Sequence, residues 1–124
     1  MRRTVCLEFD SALLGRAFPI RQVRYSRSFP EFDPTLDGNE RTARLVLTKY
    51  EGWIYEQEWR LLDLVGEHKF PPESLTGVIF GCATTREDKE KIRRWAKRMS
   101  HRPKLYQAEI SRGTFALEIK KVEP

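Results

Sequence analysis

Residues 75–80, Leu-Thr-Gly-Val-Ile-Phe, make a near-continuous apolar run closed by Gly81. That is the pattern of a β-strand covered on both faces, so the fold must supply something above it and below it. The next segment offers one cover. Thr84 stands three residues before Glu87, a capping box, and Ile92, Trp95, Ala96 and Met99 then recur at i, i+3, i+4 and i+7. The spacing predicts a helix over about 84–101, stopped by Pro103, with those four side chains on the sheet and Arg93, Lys97 and Arg98 in solvent.

The rest of the chain reads as short strands and turns. Thr4–Phe9 alternates, with Val5, Leu7 and Phe9 on one face, and Asp10-Ser11 can cap a short helical turn through Leu14 that Gly15 would end. Ile20–Tyr25 is a second strand, Ser26–Asn39 a loop carrying Pro30, Pro34 and Gly38, and Arg41–Tyr50 leans to helix. Trp53–Leu64, aromatic and free of Gly and Pro, predicts the longest strand. Lys104–Ile110 and Thr114–Val122, joined through Ser111-Arg112-Gly113, predict a closing hairpin. The order implies a single α+β domain over 1–124, with a mixed or mostly antiparallel sheet, one clear basic amphipathic helix and one or two short helices.

Charge is concentrated. Residues 86–104 hold nine Lys or Arg against three acids, a net +6, while the whole chain is +5. Arg93, Arg94, Lys97 and Arg98 form the centre of a basic patch suited to nucleic acid or an acidic protein. A solvated helix face is the plainer reading. Cys6 and Cys82 are 76 positions apart with no Cys-x-x-Cys, which reads as two buried thiols in a reducing compartment. His68 and His101 have no ligand-spaced companions, so no metal site is expected. No run approaches the ~20 apolar residues of a membrane span. The expectation is a soluble, cytoplasmic protein.

Trp53-Ile54-Tyr55-Glu56-Gln57-Glu58-Trp59-Arg60 is the most informative segment. On a strand, period two would place Glu56, Glu58 and Arg60 on one face and Trp53, Tyr55 and Trp59 on the other. Paired carboxylates beside an arginine suit either a site that stabilises positive charge or a surface salt-bridge ladder.

Taken with Val5-Cys6-Leu7-Glu8-Phe9-Asp10, Gly77-Val78-Ile79-Phe80-Gly81 and Ala108-Glu109-Ile110-Ser111-Arg112, this segment resembles the bacterial family catalogued as domain of unknown function 2971. The resemblance covers nearly all of the chain but only the C-terminal half of the family's domain, implying a truncated or short form. Full-length members look somewhat like ADP-ribosyltransferases. That analogy implies Glu58 and Glu56 as catalytic carboxylates, Arg60, Trp53 and Tyr55 as ligand-binding residues, and NAD as the cofactor. Two function classes follow. One is a non-catalytic binding or regulatory module, homodimeric or meeting an acidic protein or nucleic acid through its basic helix. The other is part of a nucleotide-handling, ADP-ribosyltransferase-like enzyme using Glu56-Gln57-Glu58.

Overall fold

The computed structural model describes residues 4–124. In chain order they form β1 (Val5–Phe9), α1 (Ser11–Ala17), β2 (Ile20–Gln22), β3 (Arg24–Ser26), α2 (Gly38–Val46), β4 (Thr48–Tyr50), β5 (Trp59–Leu61), β6 (Leu75–Phe80), α3 (Arg86–Arg98), β7 (Lys104–Ile110) and β8 (Leu117–Val122). Short 3-10 turns occupy Glu51–Glu56 and Pro72–Ser74. The fold is α+β with a mixed, mostly antiparallel sheet, as the sequence implies. The described residues gather into two compact units, one of residues 4–14 with 69–124 and one of residues 15–68.

The first unit is a four-stranded sheet in the order β1-β6-β7-β8. β6 is internal, antiparallel to β1 and parallel to β7, and β8 returns antiparallel on the far side. A parallel neighbour cannot be reached by a hairpin, and α3 is the crossover that makes β6 and β7 adjacent. Val78 and Phe80 are fully buried and join Ala96 and Leu105 in the core, with Ile92 and Val122 packed against them. The face of β6 that carries Val78 and Phe80 is thus covered as its pattern requires, while Ile79 on the other face is only half-buried. β8 follows a turn in which Gly113 takes φ +75°, a conformation that disfavours a side chain.

α3 begins one residue later than the capping box suggests. Thr85 is the N-cap, its hydroxyl accepting from the Asp88 N–H, while Thr84 donates instead to the Thr4 carbonyl at 2.9 Å. The expected stripe also narrows. Ala96 is buried and Ile92 and Met99 half-buried, but Trp95 is 43% exposed, flanking the stripe rather than completing it. β1 departs in the same way. It is an edge strand, so Val5 and Leu7, expected inside, remain exposed. Both cysteines are exposed, correcting their expected burial: Cys6 shares that edge, and Cys82 lies past the end of β6.

The second unit holds two strand pairs, β2 antiparallel to β5 and β3 parallel to β4. The expected single strand over Ile20–Tyr25 is split at Val23: its N–H still bonds to the Glu58 carbonyl at 2.9 Å on the β5 side, and the next N–H, that of Arg24, turns to the Leu47 carbonyl at 2.7 Å. α2 is the helical part of the ambiguous 41–50 segment and starts earlier, because the Asp37 carboxylate accepts from the Glu40 N–H at 2.8 Å. α1 likewise runs through Gly15 instead of ending there.

The largest correction is at Trp53–Leu64. Glu51–Glu56 coils into a 3-10 turn, Gln57 adopts the left-handed conformation at φ 44°, and only Trp59–Leu61 is strand. Gly52 lets the Tyr50 ring lie close against the turn, where a Cβ would sit 2.7 Å from it. Aromatic strand propensity yields to that local geometry.

These burials set an order of costs. Phe80→Ala should destabilise the protein by about 3–5 kcal/mol as a large-to-small core change. Trp95→Ala should cost clearly less, about 1–2 kcal/mol, since 43% of the residue is already exposed. Urea denaturation of the two variants measures the contrast, and equal losses would place Trp95 in the core.

Candidate functional site

Glu58 leaves the turn at Gln57 and enters β5 with its backbone already engaged. Its N–H donates to the Tyr25 hydroxyl at 2.9 Å, and its carbonyl accepts from Val23. The carboxylate is engaged as fully. Arg60 reaches Oε1 through Nε at 2.7 Å and Oε2 through Nη2 at 3.2 Å, a two-pronged contact, and Lys49 Nζ reaches Oε2 at 3.1 Å. The remaining Arg60 nitrogen, Nη1, donates to the Val46 carbonyl.

The strand face imagined for Glu56, Glu58 and Arg60 does not form, because Glu56 ends the 3-10 turn on the far side of Gln57. Lys49, on β4, brings the two carboxylates together instead. Its ammonium donates to both Glu56 and Glu58 and lies 5.2 Å from the centre of the Trp53 ring. Two carboxylates thus meet two cations. Arg60 first and Lys49 second hold the Glu58 carboxyl at about 2, well below its ordinary 4.5. The same contacts push the Lys49 ammonium up, Glu56 contributing more than Glu58. Trp53 and Tyr55 stand 6.0 Å apart with rings tilted at 41°, both substantially exposed.

Lys49 was not among the residues singled out by sequence, because it precedes Glu58 by nine positions and its role depends on the reversal at Gln57. The same unit carries clefts lined by further arginines that the motif search missed. One of about 560 Å³ is lined by Arg24, Arg44, Tyr25, Ser28, Phe29 and Thr48, and another of about 250 Å³ by Arg21, Arg24 and Arg44 with Glu40. The sequence signal was there: Arg21, Arg24 and Arg27 fall at three-residue spacing. Their charge is partly offset, since Arg27 pairs with Glu51 at 3.0 Å and Arg44 approaches Asp33 at 3.9 Å.

On α3 the four patch residues divide. Arg94, Lys97 and Arg98 are exposed. Arg93 is half-buried, pairs with Glu90 at 3.0 Å and lays its guanidinium 5.7 Å from the centre of the Phe80 ring. It therefore seals the core edge as well as carrying charge. Exposed Trp95 changes the chemistry of the helix. Lys91 and Arg98 lie four residues before it and three after it, one turn away on the same side. Lys91 is also paired with Glu87 at 2.8 Å. Among the described residues no group of three or more His, Cys, Asp or Glu is gathered, and no helix is long and apolar enough to cross a membrane.

No family model, curated protein or solved structure matches this chain.

The ion cluster carries a pH signature. A carboxyl depressed from 4.5 to about 2 contributes stability that is complete above the unfolded value and is lost as pH falls toward about 2. Glu58→Gln keeps the volume and removes the charge. The stability gap between the native chain and this variant should be steady at neutral pH, shrink below 4.5 and close near 2. Denaturation curves across that range test it, and a gap unchanged at acid pH would show that the charge contacts contribute nothing.

Proposed function

We propose that this chain is a non-catalytic binding module that takes single-stranded nucleic acid on the outer face of α3. The observation that carries the reading is Trp95, an exposed indole one turn from Arg98 on a helix whose exposed cations include Arg94 and Lys97. Cations follow a phosphate backbone, and an indole offers a base a stacking surface worth about 1–3 kcal/mol. An acidic protein would use the same cations and have less need of the exposed ring. The module corresponds, on the segments quoted above, to the C-terminal half of the domain-of-unknown-function family, in a cytoplasmic bacterial setting.

The enzymatic reading takes second place. An ADP-ribosyltransferase-like use of Glu58 with NAD needs a carboxylate with lone pairs open to a ribose hydroxyl and a developing cation. Arg60 and Lys49 already occupy that carboxylate. The arginine-lined clefts beside Tyr25 are what favours a nucleotide there.

Fluorescence anisotropy with a labelled single-stranded oligonucleotide separates the alternatives. Binding should weaken with salt, and each of Arg94→Ala, Lys97→Ala and Arg98→Ala should lower the log–log salt slope by about 0.7. Trp95→Ala should weaken binding by about 1–3 kcal/mol with the salt slope unchanged. Salt-sensitive binding indifferent to Trp95 would transfer the face to an acidic protein. Glu58-dependent NAD binding would revive the enzymatic reading.

A further inference from the structure

We propose that a second copy of this chain pairs with the first edge to edge along β8, antiparallel and centred on Ile119. β8 ends the sheet, and Leu117 to Lys121 are all exposed in the chain. Its free side is identifiable from the ladder it makes with β7. The Ser111 N–H donates to the Ala116 carbonyl at 3.0 Å, and the register runs from there through Ile110 opposite Leu117 to Leu105 opposite Val122. Alternation along an antiparallel pair then turns the backbone groups of Glu118, Lys120 and Val122 toward β7. Those of Leu117, Ile119 and Lys121 face outward, unpaired within the sheet.

Charge selects the partner and the register. Outward groups must meet outward groups, so the pairing can slide only in steps of two residues. Centring on Ile119 sets Glu118 opposite Lys120 of the second copy, twice by symmetry, with Ile119 opposite Ile119 of the second copy. The neighbouring registers set Glu118 against Glu118 or Lys120 against Lys120, and like charges directly opposite are unfavourable.

The strand also lacks what a second copy supplies. Within the chain Glu109 stands opposite Glu118, a like-charge rung. Lys120 alone serves both, at 2.7 Å and 3.7 Å. In the pair each Glu118 would lie between two Lys120 side chains, its own and that of the second copy, so the two like-charge rungs share both cations. On the other face Ile119, 55% exposed, would meet its counterpart, and Leu117, 61% exposed, would lie against the aliphatic stem of Lys121 of the second copy. This inference stands independently of the nucleic-acid reading, since it uses no residue of α3.

Sedimentation analysis of the full chain across a wide concentration range reads the outcome. The native chain should dimerise. Glu118→Lys and Lys120→Glu should each weaken the dimer about tenfold or more, because each converts two attractive rungs into repulsive ones. The chain carrying both changes should recover the native affinity, and an equimolar mixture of the two single variants should form a heterodimer. Circular dichroism checks that each variant keeps its fold. A native monomer, whose β8 edge is left to an extended segment of another protein, would overturn the proposal. So would a dimer indifferent to the single reversals or not restored by the double one.

Discussion

The burial of β6 is the constraint on which the larger unit depends. A strand with Val78 and Phe80 fully buried needs neighbours on both edges and a layer over those side chains, and each requirement is met by a named segment. β1 and β7 pair with its edges, and α3 carries the chain across so that β7 can lie parallel. The core this creates is small: Val78, Phe80, Ala96 and Leu105, with Ile92 and Val122 at its margin. Small cores leave residues one step from the centre only half covered. Lys89 and Arg93 accordingly extend their stems over the Phe80 ring, with their charged ends 5.8 and 5.7 Å from its centre.

Residues 15–68 are organised by a different interaction. Among their described residues only Val23 and Leu47 are buried apolar side chains. Polar contacts define much of the rest. Glu58 reaches Val23 and Tyr25 through its backbone, and Lys49 and Arg60 through its carboxylate, tying the β2–β5 pair to the β3–β4 pair. Partly exposed ion pairs are individually weak. Their value here is geometric, since each contact fixes the direction in which a three-residue strand leaves its turn.

What the sequence made legible follows from this division. Where apolar periodicity decides the structure, β6 and β7 stand at their expected positions and α3 lies inside its expected span, starting at Arg86 and ending at Arg98 instead of running on to 101. Burial was harder to read, because periodicity gives the direction a side chain points and not whether anything meets it. Val5 and Leu7 point correctly but lie on an edge, and Trp95 flanks a stripe that Ala96 and Ile92 suffice to fill. The Glu56–Glu58 segment was misread for another reason. Its residues favour a strand, yet one left-handed residue, Gln57, reverses the chain between the two acids. The two acids still come together, but through Lys49, which no strand-based reading could have supplied.

That reversal bears directly on function. A carboxylate used in catalysis must keep lone pairs open for its substrate and hold a protonation state suited to the reaction. A carboxylate used to join strands does the opposite, spending its acceptors on nearby donors and resting deeply ionised. Glu58 makes contacts of the second kind: Arg60 reaches both oxygens, Lys49 takes a further bond, and these cations hold the carboxyl down at about 2. To free it for a substrate, Arg60 would have to abandon Glu58 while its Nη1 remained tied to the Val46 carbonyl. The contacts that make the smaller unit a defined structure are therefore the same ones that oppose chemistry at its most conspicuous acid.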